Sequence, residues 1–120
     1  MSDNRMEQLD ALTTLAEFNE RLLKNLPIIA QELSGEGQED TEQYFQSVID
    51  AINWEIAVVN ATLDVLNEDK VRLDKEAFNQ AVLNLNSAMT AKDSLQIAGA
   101  LENLIPHFEQ LGAAAKEVIQ

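Results

Sequence analysis

Apolar residues recur every three or four positions along the whole chain, which is the spacing of one face of an α-helix. The first apolar stripe runs from about residue 5 to 34 and consists of Leu12, Leu15, Phe18, Leu22, Leu26, Ile29 and Leu33. Pro27 lies inside this stripe, and the pattern continues beyond it without interruption. A proline within a helix removes one backbone hydrogen bond and crowds the preceding turn. We therefore predict a single first helix that is kinked at Pro27.

Two polar segments separate this helix from the remaining apolar stripes. "SGEGQED" at 34–40 contains two glycines and no apolar residue, and it predicts a loop. "NEDKVRL" at 67–73 predicts a second connection. Each of the three later helices is preceded by a helix-start signal, in which an aspartate stands just before an apolar segment. The signals are Asp40 with Gln43, Asp93 with Gln96, and Asp74 between the hydrophobic-staple pair Leu73 and Phe78.

The helix that follows Asp40 and ends at about Leu66 is apolar on two sides. Its core stripe consists of Phe45, Val48, Ile49, Ile52, Ile56, Val59, Leu63 and Leu66. The opposite side carries a second set at helical spacing, here called the outer row: Trp54, Val58, Ala61 and Val65. Two interpretations remain open. Either the bent first helix covers the outer row, or the outer row is an interface with another chain, as exposed apolar rows containing tryptophan often are.

Two further helices complete the predicted fold. The third ends near Thr90, and its stripe consists of Phe78, Val82, Leu85 and Met89. The inner face of the fourth consists of Ile97, Leu101, Leu104, Ile105, Phe108, Ala115 and Ile119. Four amphipathic helices with short connections predict an all-α, antiparallel four-helix bundle that comprises residues 1–120 as one domain.

Charge and composition narrow the classes of partner. The 21 acidic and 8 basic residues give a net charge of −13, which disfavours binding to nucleic acid. The absence of cysteine excludes disulfides and thiolate metal sites. No apolar stretch approaches the length of a membrane span, and the chain shows no secretory signal. These features predict a cytoplasmic protein that does not bind membranes.

The sequence contains little that indicates catalysis. His107 is the only histidine, and Leu104 occupies the position where a di-iron bundle would have the glutamate of a Glu-x-x-His motif. We interpret His107 as a half-covered residue at the boundary of the apolar face. The serines do not pair with it in any recognisable motif, and the glycines do not form a phosphate-binding loop. We predict that the protein is not an enzyme and uses no metal or cofactor.

Two segments carry a family resemblance. "QSVIDAINWEIAVVNATLDVL" in the second helix and "AMTAKDSLQIAGALENLIPHFEQL" around the fourth resemble small acidic helical proteins of Gram-positive, often spore-forming bacteria. Members of that family carry a Gly-Leu-x-Trp-like segment, which Ile52 to Trp54 match only in part, and a late Leu-Glu-x-x-Leu-x-Pro run, which Leu101 to Pro106 match with one residue fewer between Glu102 and Leu104. The resemblance implies a helical cytoplasmic fold and no catalytic residue.

The predicted function is non-catalytic protein binding through helical surfaces, with the outer row as the interface. The partner is either another protein or a second copy of the chain, which would give a homodimer. The first alternative is a small secretion or assembly chaperone that holds amphipathic client helices. The second alternative is an enzyme or metal carrier that uses acidic residues.

Overall fold

The four predicted helices are present in the computed structural model, which describes residues 2–35 and 37–120. They are α1 (Ser2–Leu33), α2 (Thr41–Leu66), α3 (Lys75–Ala91) and α4 (Ser94–Ile119). The described residues contain no strand, so the prediction of an all-α fold with four helices is confirmed. α1 continues through Pro27 without interruption, as the unbroken apolar stripe predicted. The kink at Pro27 itself stays a prediction.

The helices are arranged around a central antiparallel pair, α1 and α4. Asn19 in the middle of α1 contacts Phe108 of α4, and Leu33 at the end of α1 lies near Ile97 at the start of α4. α2 packs mainly against α1, and α3 packs against α4. α2 is antiparallel to α1, because Tyr44 near the start of α2 contacts the second half of α1, and Arg5 of α1 pairs with a residue just beyond the end of α2.

Two of the three predicted helix caps form. Asp74 accepts a hydrogen bond from the backbone N–H of Ala77, and Asp93 accepts from the N–H groups of Leu95 and Gln96. Leu73 and Phe78, the predicted staple pair around Asp74, are both buried. Such caps satisfy backbone donors that have no partner inside the helix.

The capping box predicted at Asp40 is wrong. Asp40 precedes α2, but its side chain makes no capping hydrogen bond. Its backbone, with ψ near 8°, is not extended as an N-cap usually is. The hydroxyl of Thr41 accepts a hydrogen bond from the backbone N–H of Gln38 and donates one to Glu32 of α1. This pair of bonds, rather than Asp40, anchors the start of α2.

The core lies between the central pair and the two flanking helices. Phe78 of α3 and Phe108 of α4 meet edge to face, with ring centroids 5.5 Å apart, a favourable arrangement for aromatic pairs. The largest fully buried side chains are those two rings together with Leu12, Leu15, Leu26, Ile29, Ile52, Leu66, Leu73, Leu101, Leu104 and Leu111. All four helices, and the connection before α3, therefore contribute to one continuous core.

Candidate functional site

The structure divides the outer row of α2. Val58 and Val65 are buried, with exposed fractions of 9% and 5%, and both belong to the hydrophobic core. Ala61 is exposed, and Trp54 keeps 39% of its surface exposed. The two valines therefore belong to the core of the single chain. Of the predicted interface residues, Trp54 and Ala61 remain available to a partner.

Trp54 is part of a small aromatic surface on the outside of α1 and α2. Its ring packs against Phe18 of α1, with ring centroids 5.1 Å apart and the planes tilted by 57°. The guanidinium of Arg21 lies over the Phe18 ring, 5.9 Å from its centroid, in a cation–π contact. We call Phe18, Trp54 and the adjoining Asp50 and Ala51 the aromatic face.

The aromatic face is a shallow depression between two antiparallel helices. Its open part has a volume of about 460 Å³ and is also bordered by Thr14 and Ser47. A second depression, of about 210 Å³, continues along the same helix pair past Asn25 and Tyr44. There the Tyr44 hydroxyl donates a hydrogen bond of 2.6 Å to the side-chain oxygen of Asn25, which fixes α2 against α1. The two depressions form an elongated surface along the helix pair.

A buried glutamate is the residue that the sequence analysis missed. Glu55 follows Trp54 directly, about 100° further round the helix, and none of its surface is exposed. Neither of its carboxyl oxygens has a hydrogen-bond partner among the described residues. Burial away from water disfavours the charged form and raises the pKa of Glu55 to about 8. At neutral pH the side chain is therefore mainly neutral.

A second polar side chain enters the core from α1. The side-chain amide of Asn19, itself buried, donates a hydrogen bond of 2.9 Å to the backbone oxygen of Phe108. α1 and α4 approach closely here, because a Cβ atom added to Gly112 would lie 2.7 Å from the Asn19 amide nitrogen.

The spacing of α2 contains a signal that identifies Glu55. A strict alternation of three- and four-residue steps runs through the helix as Phe45, Val48, Ile52, Glu55, Val59, Thr62 and Leu66. The stripe drawn from apolar residues alone instead included Ile56 and Leu63, which are only partly buried. Glu55 and Thr62 are fully buried in their place. Position in the repeat, rather than polarity, indicates which side chains face the core.

A third depression, with a largely apolar lining, lies at the end of the bundle where α1 ends and α4 begins. This end cleft has a volume of about 540 Å³. Its apolar lining is Leu33, Phe45, Met89 and Ile97, and its polar rim is Gln38, Glu39, Thr41, Glu42, Lys92 and Ser94. All four helices or their connections contribute to it.

His107 occupies the boundary position that the sequence predicted. It is partly buried on α4, and its ring meets Phe78 edge to face at 6.5 Å. Among residues 2–35 and 37–120, no group of three or more histidine, aspartate and glutamate side chains is arranged to hold a metal ion. Within the same ranges, no helix has the length and apolar character needed to cross a membrane.

The structure is thus a helical bundle with an exposed tryptophan on its surface and a buried carboxyl group in its core. Residues 10–114 match the protein family described as "Domain of unknown function (DUF8042)", and the chain belongs to that family. No curated protein and no solved structure matches the chain.

Proposed function

We propose that the protein is a non-catalytic, cytoplasmic protein-binding module that contacts its partner through the aromatic face. The observation that carries this proposal is the position of Trp54. The only tryptophan of the chain stays 39% exposed while Phe18 holds its ring in place. Tryptophan is enriched among the residues that dominate binding energies, and a ring that is already packed loses little conformational freedom on binding.

The shape and charge of the surface indicate the chemistry of the partner. An elongated depression between two helices suits an amphipathic helix that lays its apolar side along it. Asp50 is part of the aromatic face. Arg21 lies over the Phe18 ring, but the chain as a whole carries a net charge of −13. A second copy would bring the same negative charge, whereas a helix with lysine or arginine beside its apolar stripe is attracted. We therefore infer a basic amphipathic helix of another protein rather than a homodimer.

The aromatic face can be tested with a synthetic amphipathic helix built from leucine and lysine. We expect Trp54→Ala to weaken its binding, measured by titration calorimetry, by roughly thirtyfold, which corresponds to about 2 kcal/mol for an important interface residue. Leu83→Ala is the matched control, because Leu83 is another exposed apolar residue, on α3. A leucine–glutamate peptide of the same length controls for the sign of charge.

Three results would contradict the proposal. The first is equal binding of the lysine peptide by the wild type and Trp54→Ala. The second is equal binding of the lysine and glutamate peptides. The third is a wild-type dimer, seen by light scattering, that Trp54→Ala converts to a monomer, because the aromatic face would then be a contact between copies of this chain.

The end cleft supports a second candidate function, the small chaperone that holds client helices. Its apolar lining is open to solvent, and Glu39 and Glu42 on its rim favour a client with basic residues. Met89 lines the cleft, and its flexible thioether side chain can adapt to different apolar partners.

The same peptide distinguishes the two candidate functions. If the chaperone function is correct, Met89→Ala should reduce binding at least about tenfold, or about 1.4 kcal/mol, whereas Trp54→Ala should have no effect. The reverse pattern assigns binding to the aromatic face. Circular dichroism of both variants verifies that each remains folded.

A further inference from the structure

The buried side of α2 carries a carboxyl group, and this group is not part of the aromatic face. Glu55 is fully buried, and both of its oxygens are without hydrogen-bond partners in the described part of the chain. Transferring an unpaired carboxylate out of water is among the most unfavourable changes in a protein interior. The packed position of α2 is therefore compatible with neutral Glu55 and strained by its ionised form.

No neighbouring charge compensates Glu55. The other buried polar side chains of residues 4–35 and 37–120 are Asn19 and Thr62, and neither titrates. None of the charged side chains of α1 (residues 4–33) and α4 is buried: all are exposed except Glu32, which bonds to Thr41 at the start of α2. His107 of α4 is only partly buried, and Lys116 is paired with Glu20. Desolvation alone accounts for the raised pKa of Glu55, with no contribution from these groups.

Because α2 is attached mainly to one neighbouring helix, it is the helix that can move when Glu55 becomes charged. The central pair is joined by the bond from Asn19 to Phe108, and α3 is held to α4 by the pair of phenylalanine rings. α2 packs mainly on α1 and only slightly on α4. Its side-chain hydrogen bonds to α1, from Thr41 and Tyr44, lie near its start and not beside Glu55.

We propose that Glu55 acts as a proton-controlled latch: protonated Glu55 keeps α2 docked on the central pair, and loss of the proton releases it. The aromatic face contains residues of both α1 and α2, so release would separate Trp54 from Phe18 and dismantle it. This last consequence rests on the proposed function, whereas the release of α2 does not.

Native-state hydrogen exchange tests the latch without any partner. When α2 opens, Glu55 enters water and regains an ordinary pKa near 4.5, so each opening between about pH 5 and 8 releases one proton. After correction for intrinsic exchange rates, the protection of the central amides of α2 should fall about tenfold for each pH unit in that range. Above about pH 8 protection should level off. The central amides of α4 should remain more protected than those of α2 throughout.

Two variants complete the test. Glu55→Gln should show α2 protection that does not change with pH, and Glu55→Met serves the same purpose if the glutamine variant does not fold. Glu42→Gln, an exposed position on α2, is the control that should retain the wild-type slope. Global unfolding also exposes Glu55, so α4 protection should fall with the same slope. The latch is wrong if the α2 amides are as protected as the α4 amides at every pH, because α2 would then open only by global unfolding. It is equally wrong if Glu55→Gln keeps the wild-type slope.

Discussion

Replacing Glu55 with glutamine should make the protein more stable at alkaline pH and flatten the dependence of its stability on pH. In the wild type, the folded protein holds a proton on Glu55 up to about pH 8, whereas the unfolded chain loses it near pH 4.5. The contribution of this proton to the unfolding free energy is fully present below about pH 4.5. It decreases as the pH rises and is lost once the pH passes about 8.

The size of the effect follows from the two pKa values. Across this range, the wild type should lose up to roughly 5 kcal/mol of unfolding free energy, because each pH unit corresponds to about 1.4 kcal/mol. A loss of that size is a large part of the stability of an ordinary domain. The variant should lose none of it. At acidic pH the two proteins should be similar, since a buried amide and a neutral carboxyl have comparable needs for hydrogen bonds.

Urea unfolding at a series of pH values, followed by circular dichroism, measures this difference. Glu42→Gln on the surface of α2 is the matched control, because it removes one carboxyl group without changing the core. Other acidic groups titrate in both proteins, so the informative quantity is the difference in slope between the variant and the wild type. Parallel curves for Glu55→Gln and the wild type between pH 5 and 8 would show that Glu55 is hydrated or paired in solution.

The sequence was sufficient to predict the helices and most of their ends. Helical spacing depends on local sequence, and the caps at Asp74 and Asp93 require only a side chain two or three positions from the N–H group that it binds. Asp40 has the same local pattern, but Thr41 bonds to Glu32 of the preceding helix instead. That competing contact comes from tertiary structure, which the local pattern does not contain.

The candidate site could be predicted only in part for the same reason. The sequence identified Trp54 as notable, and the structure shows that its exposure depends on Phe18 of another helix. Glu55 was missed because the core stripe of α2 was drawn from apolar residues alone. Its burial follows from its place in the three-and-four repeat and from the packing of α1 beside it. Such a residue is a local conflict with the global fold, and conflicts of this kind are concentrated at functional sites.

Two aspartate substitutions, three positions apart on α2, distinguish the buried part of the outer row from its exposed part. Val58→Asp should destabilise the protein by about 3 kcal/mol or more, because it removes a buried apolar side chain and introduces an unpaired carboxyl group. Ala61→Asp should change the unfolding free energy by less than about 1 kcal/mol, because Ala61 is exposed and surface substitutions usually have small effects.

The same pair tests whether the outer row acts as one interface. Thermal unfolding gives the stability of each variant, and light scattering gives its mass. If the whole row were a contact between two copies, Val58→Asp would yield a stable, folded monomer from a wild-type dimer. The burial of Val58 and Val65 instead leads us to expect an unfolded or strongly weakened Val58→Asp variant from a monomeric wild type. Ala61→Asp should then remain folded, and any change in its peptide binding would come from the exposed side of α2 alone.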